Sequence, residues 1–192
     1  MSAQELERQP ARSGDGVPSE QRLELLRRIA GEVPDPEIPV VTIADLGVLR
    51  GVTVDEGEVV VTITPTYSGC PAMDAIRADV LGALRAQGVE HARIETVLSP
   101  AWSTDWISED GRRKLREYGI APPARCGAGQ EGCAQSARSA AGPGQSLIAL
   151  SVCCPLCGSL QTREVSRFGS TACKALYVCD TCHEPFDYFK SI

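Results

Sequence analysis

Val59-Val60-Val61-Thr62-Ile63-Thr64-Pro65-Thr66-Tyr67-Ser68-Gly69-Cys70-Pro71 is the stretch whose reading decides the fold. It runs from a β-branched strand, through a loop, into a helical pattern that starts after Pro71 and lasts to Gln87. Proline is favoured just inside a helix start, where its missing N–H would have had no partner. Cys70 therefore belongs at or beside the N-cap, with Gly69 allowing close backbone approach. Free amides and the positive end of the helix dipole then predict a lowered thiol pKa and a reactive thiolate. The plainer alternative, a small buried hydrophobe, stays open.

Around this stretch the pattern is α+β. Met73, Ile76, Val80 and Leu84 give the following helix one apolar face, and Gly88 suits its C-terminal cap. Residues 92–98 read as a strand, making a strand–helix–strand crossover whose expected hand is right. Upstream, 48–54 and 58–64 are strands joined by Asp55-Glu56-Gly57, a connection short enough to demand an antiparallel hairpin. The result is a small domain with a three-stranded mixed sheet. Before it, Ser19 can cap a helix carrying Leu23, Leu26, Ile29, Ala30 and Val33 at helical spacing. Pro34, Pro36 and Pro39 end that helix. Asp35-Pro36-Glu37 lies among them: two carboxylates for acid–base work or a cation, or simply an Asp-Pro turn. Further on, Trp102 and Trp106 are expected as core or lid residues over the sheet. A short basic helix over 108–118 stops at Gly119-Ile120.

The ends differ in composition. Residues 1–17 lack apolar periodicity and read as a disordered tail. Residues 121–146 are rich in Pro, Ala, Gly and Ser and read as a flexible linker; its Cys126 and Cys133 fit no strong metal pattern. Two independent units are therefore expected, 18–120 and 147–192.

The second unit carries the most specific signal. Cys154-Pro155-Leu156-Cys157 and Cys179-Asp180-Thr181-Cys182 are two C-x2-C pairs, with strands expected at 161–167, 174–178 and 184–189. Four thiolates from two such knuckles can occupy the corners of a tetrahedron, so Cys154, Cys157, Cys179 and Cys182 are the candidate ligands of a structural Zn²⁺ in a zinc ribbon. Iron in the same sulfur set and two redox pairs are the alternatives. Cys153 competes for the first knuckle, Cys173 is a free thiol or an outer neighbour, and His183 is expected to be exposed.

Charge excludes some partners. The net charge is −6, and from Ser151 onward four basic residues (Arg163, Arg167, Lys174, Lys190) face four acidic ones (Glu164, Asp180, Glu184, Asp187). Without a basic stripe, the counter-ion release that drives nucleic-acid binding is missing. Phe186, Tyr188 and Phe189 are then expected in the ribbon core or at a protein interface. No apolar run approaches a membrane span and no leader pattern opens the chain, so a cytoplasmic protein is expected.

Asp35-Pro36-Glu37-Ile38-Pro39-Val40, Asp45-Leu46-Gly47-Val48, Thr66-Tyr67-Ser68-Gly69-Cys70-Pro71 and Ser99-Pro100-Ala101-Trp102 resemble the α/β domain of SufT-like iron–sulfur assembly proteins. Phe168-Gly169-Ser170-Thr171-Ala172-Cys173-Lys174-Ala175-Leu176-Tyr177, the two knuckles and Glu184-Pro185-Phe186-Asp187-Tyr188-Phe189 narrow the likeness. Together they resemble the accessory-subunit family of the phenylacetyl-CoA epoxidase system of aerobic phenylacetate degradation. The resemblance implies a non-catalytic maturation factor holding a transient iron or iron–sulfur cargo. It further implies Cys70 as the sulfur or iron contact, with Asp35, Glu37 and Thr66 beside it. The implied client is the epoxidase reductase subunit with its 2Fe–2S centre. A structural subunit of the epoxidase is the alternative, and a homodimer through Cys70 stays open. An enzyme with Cys70 as nucleophile would need a base. Of the two histidines, His91 lies beyond the far end of the helix that Cys70 opens.

Overall fold

The computed structural model describes residues 19–123 and 152–190. The expected tail at 1–17, the expected linker beyond residue 123, Cys126 and Cys133 lie outside the described residues.

Helix α1 (Glu20–Gly31) is capped by the Ser19 hydroxyl, which accepts from the Arg22 amide, and buries Leu26 and Ala30. Strands β1 (Leu49–Asp55) and β2 (Glu58–Ile63) pair antiparallel, with Asp55 opposite Glu58 at the turn. Helix α2 (Ala72–Ala86) then carries the chain to β3 (Ala92–Thr96), which lies parallel to β2. The mixed three-stranded sheet, ordered β1-β2-β3, is as expected. Met73, Ile76, Val80 and Leu84 form the buried face of α2, as the 3.6-residue period required.

The proline-punctuated segment between α1 and β1 is more than a connection. Val33, Ile38, Val41, Ile43, Leu46 and Val48 from it are all buried. Proline breaks helical and strand periodicity alike, so this irregular arm hides its contribution to the core from any pattern of fixed period.

After a 3-10 turn (Thr104–Trp106), α3 (Glu109–Glu117) is capped by Ser108, whose hydroxyl accepts from the Gly111 amide. The Asp45-Leu46-Gly47 segment holds this region. The Trp102 indole N–H donates to the Leu46 carbonyl at 2.8 Å, and Lys114 Nζ reaches Asp45 Oδ2 at 2.7 Å. Gly47 has φ +69°, and a Cβ there would stand 2.6 Å from Trp106 Cβ, so only glycine fits. Trp106 itself lies under the Arg50 guanidinium, 3.6 Å from the ring centroid.

The second sheet corrects the expectation of two independent units. Strands β5 (Thr162–Ser166), β6 (Lys174–Cys179) and β7 (Pro185–Phe189) form the expected antiparallel ribbon. A further strand, β4 (Ile120–Ala121), pairs parallel with β7. The last residues of the first unit thus extend the ribbon's sheet, in the order β4-β7-β6-β5. Phe189 and Cys173 pack into the first unit's core, Phe189 with its ring centroid 5.9 Å from that of Trp102. A two-residue strand carries no period and long-range pairing is invisible to local patterning, so the sequence does not show this junction.

Candidate metal centre and cysteine site

Two groups of cysteines stand apart in the structure. In the ribbon, the ligand atoms of Cys154, Cys157, Cys179 and Cys182 all lie within 4.8 Å of one another. Cys154 Sγ is 3.8 Å from Cys182 Sγ, and Cys157 Sγ is 3.5 Å from Cys179 Sγ. A tetrahedral ion with Zn–S bonds of ~2.3 Å separates its sulfurs by ~3.8 Å, close to both of these pairs, so the set suits zinc. Cys153 is disulfide-bonded and stands outside the set. His183 is exposed, also outside it, at φ +64° in the knuckle turn.

The knuckles supply amide donors to the sulfurs. Burial opposes ionisation of Cys179, but the Cys182 and Thr181 amides and the neighbouring Cys157 and Cys182 thiols bring it down to about 6. Cys154 is raised, by burial first. Metal binding to such a set releases the protons that its thiols still carry.

The second group gathers around Cys70. Cys70 directly precedes Pro71, the N-cap of α2, and is half-buried. Its sulfur accepts from the Ala72 amide, in keeping with its place at the helix start. The expected fall in its pKa does not follow, however. Burial pushes the thiol up, and the nearby Glu37 and Asp35 carboxylates add to the rise, outweighing the Ala72 amide and the Tyr67 hydroxyl. The helix end is visible in the sequence; the two carboxylates folded against it are not. A thiolate here needs a positive partner.

Asp35 and Glu37 have different jobs. Asp35 is buried, and its Oδ1 accepts from the amides of Glu37 (2.9 Å) and Ile38 (2.8 Å). This is the Asp-Pro turn that turn chemistry favours. Burial raises its pKa. The turn holds Glu37 half-exposed, where its Oε2 meets Cys173 Sγ at 3.6 Å. Thr66 is buried on the Cys70 loop. Tyr67, one residue on, is the group that touches Cys70; burial and the Cys70 and Glu37 charges push its hydroxyl up to about 12.

Cys173, expected as a free thiol or an outer neighbour of the ribbon's metal, leaves the ribbon's own cluster. It joins the first unit's core, 4% exposed, with Thr171 Oγ1 3.0 Å from its sulfur. Burial pushes it up to about 11, with Glu37 and Asp35 adding to the shift. Its position directly before a β-strand gives no signal of its Glu37 neighbour, 136 residues away in the chain. Neither histidine is among the groups acting on Cys70. His91 follows α2, which at 15 residues is ~22 Å long.

The likeness to known families falls in the same two parts of the chain. Residues 26–97 match the family described as iron–sulfur cluster assembly protein, and 139–190 match the family described as PaaD zinc beta ribbon domain. The chain is 46% identical over 164 residues to the Escherichia coli K12 protein named as a subunit of the "Putative 1,2-phenylacetyl-CoA epoxidase", covering 85% of this chain and 90% of that one. An Fe–S protein maturation auxiliary factor of Porphyromonas gingivalis is 39% identical over 90 residues, 46% of this chain and 85% of its own. Among solved structures, a Bacillus anthracis domain of unknown function (DUF59) matches with 32% identity and a TM-score of 0.45, over 48% of this chain and 90% of its own. With close to half its residues shared along nearly the full length of the E. coli relative, the chain belongs to the PaaD family of phenylacetyl-CoA epoxidase subunits, an iron–sulfur assembly domain joined to a zinc ribbon.

Proposed function

We propose that this protein is an accessory factor of aerobic phenylacetate degradation that matures the iron–sulfur centre of a client, the reductase subunit of the phenylacetyl-CoA epoxidase. One observation carries this reading: a half-buried cysteine at a helix start faces two carboxylates and no histidine. That donor set suits a soft cation and lacks the base a cysteine nucleophile requires. The relatives named for Fe–S maturation and for the epoxidase support the cargo and the system respectively.

In this reading the two cysteine groups divide the labour. Cys154, Cys157, Cys179 and Cys182 hold a structural Zn²⁺ whose closed shell leaves no position for cargo. Cys70 is the contact for iron or sulfide-bearing cargo, with Glu37 beside it, Asp35 shaping the turn that presents Glu37, and Thr66 and Tyr67 forming the loop wall. The raised thiol gives the site its on–off character. Cargo displaces the proton on arrival, and reprotonation of Cys70 favours departure. Among the described residues no helix is long and apolar enough to cross a membrane.

Cys70→Ser tests this. The variant should keep its fold and zinc while the reductase accumulates without its cluster, and reductase loaded beforehand should support epoxidation without this protein. Fully clustered reductase in Cys70→Ser cells would overturn the maturation reading. A structural subunit of the epoxidase, the role that the E. coli relative's name suggests, would then stand; it predicts co-purification at fixed stoichiometry.

A further inference from the structure

We infer that the loop opening at Phe168 is a docking surface for a folded protein whose own surface is acidic around an apolar recess. Phe168 is the anchor, and Arg167 and Lys190 are the cations that meet the acidic rim. The partner's identity as an iron–sulfur client rests on the proposed function; the surface itself does not.

Phe168 lies between β5 and β6, at the head of Phe168-Gly169-Ser170-Thr171-Ala172-Cys173. At 71% exposed it is the most exposed large hydrophobic residue among those described. A single apolar residue on a surface needs no explanation. What marks this one is how firmly it is presented. Ser166 Oγ accepts from the Phe168 amide at 3.2 Å and donates to the Phe168 carbonyl at 2.9 Å. The Gly169 N–H donates to the Lys174 carbonyl at 2.8 Å, and a Cβ at Gly169 would stand 2.8 Å from Asp187 Oδ1, so the loop lies tight against the sheet. Lys190 Nζ donates to the Arg167 carbonyl at 3.1 Å and lies 5.0 Å from the centroid of the Phe168 ring. A loop fixed before binding has less freedom to lose on docking, and an aromatic ring held out by such a loop suits an interface anchor.

The two cations give the partner its chemistry. Among the described residues the ribbon's ion pairs are Arg163–Asp180 and Lys174–Asp187, which leaves Arg167 and Lys190 with no carboxylate partner there. Asp187, the carboxylate beside this loop, is matched by Lys174 at 3.6 Å and accepts from Ser170 Oγ at 3.1 Å. A ring flanked by two unmatched cations is complementary to an apolar recess with an acidic rim. Two other occupants fit less well. A second copy docked symmetrically would set like cations face to face, and docking on another face of that copy makes a head-to-tail contact that need not close. Lipid surfaces are read by clusters of about four to eight basic residues, and this chain has two here and a net charge of −6. The loop ends at Cys173, whose Sγ is 3.6 Å from Glu37 Oε2. A protein held at Phe168 is therefore held on the segment that packs against the Asp35-Pro36-Glu37 turn.

The test follows association of the zinc-loaded, full-length protein with the purified reductase subunit of the epoxidase, and with each other purified epoxidase subunit, at low and high salt. Wild type should bind one of them, associating more slowly as salt rises. Phe168→Ala should weaken that binding about tenfold or more, mainly through faster dissociation. Arg167→Gln and Lys190→Gln should each slow association and flatten its salt dependence. Zinc content and tryptophan melting like those of wild type establish that each variant is folded. Wild type that binds none of these proteins overturns the inference without reference to any variant. So does a folded Phe168→Ala with wild-type affinity, or association that ignores both salt and the two charge changes. Binding to phosphatidylcholine–phosphatidylserine vesicles that Phe168→Ala abolishes, with protein binding unchanged, would make the loop a membrane contact instead. Normal reductase maturation in Cys70→Ser cells would remove the proposed function and leave docking through Phe168 standing. Wild-type affinity in Phe168→Ala with failed maturation in Cys70→Ser would remove the docking surface alone.

Discussion

The rings of Trp102 and Phe189 meet at 5.9 Å with an interplanar angle of 49°, joining the 3-10 turn region of the first unit to the last strand of the ribbon. Both side chains are buried, Phe189 to within 1% of full enclosure. Through this contact and the β4–β7 pairing, the ribbon's last strand enters the core against which Cys70 packs, while Cys154, Cys179 and Cys182 pack in a second cluster that also takes in Ala121 of β4.

Zinc removal should therefore be felt far from zinc. The two tryptophans both lie in the first unit, so their fluorescence reports on that unit alone. Chelation should lower the temperature at which this signal unfolds. Phe189→Ala should do the same with zinc still bound, at a cost of about 3–5 kcal/mol. Tryptophan melting that ignores the chelator would restore the picture of two independent units.

What the sequence makes legible is whatever repeats at a fixed period or follows a spacing rule. The α2 face, the hairpin over Asp55-Glu56-Gly57, the parallel return of β3 and the four knuckle cysteines are of that kind. Legible in kind but wrong in consequence is Cys70, because a helix end is local while the carboxylates that raise its pKa arrive through folding. The core role of the 33–48 arm, the short β4 and the placing of Cys173 depend on contacts between distant segments, which no local pattern encodes. Tyr67 has one available signal, its place three residues before the cysteine in the loop already singled out.

Gly111→Ala should run against helix propensity. Alanine in a helix interior gains ~1 kcal/mol over glycine. At this position a Cβ would stand 2.8 Å from the Asp45 carbonyl oxygen and 3.0 Å from Asp45 Cβ, so α3 must move off the loop it packs on. A net loss of about 1–3 kcal/mol by urea denaturation is expected. Equal or greater stability would mean that α3 sits further from the loop.

Asp35 separates geometry from charge. Asp35→Ala removes the acceptor for two amides and should cost about 1–3 kcal/mol. Asp35→Asn keeps that acceptor and sheds a charge that burial disfavours. A raised folded pKa means that the protonated form's stability is full below 3.8 and is lost as pH rises through the folded value. Asparagine imitates that protonated form, so its stability relative to wild type should improve from acid to neutral pH. An asparagine variant as damaged as alanine at pH 7 would show that the carboxylate charge itself is needed for the fold.

Asp45 should show the opposite dependence. Burial works against its ionisation, yet Lys114 and Thr42 overcome it and hold the carboxyl below its usual range. A depressed folded pKa gives stability that is present above 3.8 and is lost as pH falls through the folded value. Asp45→Asn leaves Lys114 with Asp110, 2.9 Å away, but breaks the tie between the Asp45 loop and α3. The cost at pH 7 should be about 1.5–3 kcal/mol, as for a hydrogen bond to a charged group. As pH falls below 3.8 and on through the lower folded value wild type protonates the same group, so the gap should narrow progressively from there. Urea denaturation of both from pH 7 to pH 3 measures the gap directly. A gap that stays constant over that range would mean that Asp45 holds α3 through its shape and its backbone carbonyl, which accepts from the Ser108 amide at 2.8 Å, and not through its charge.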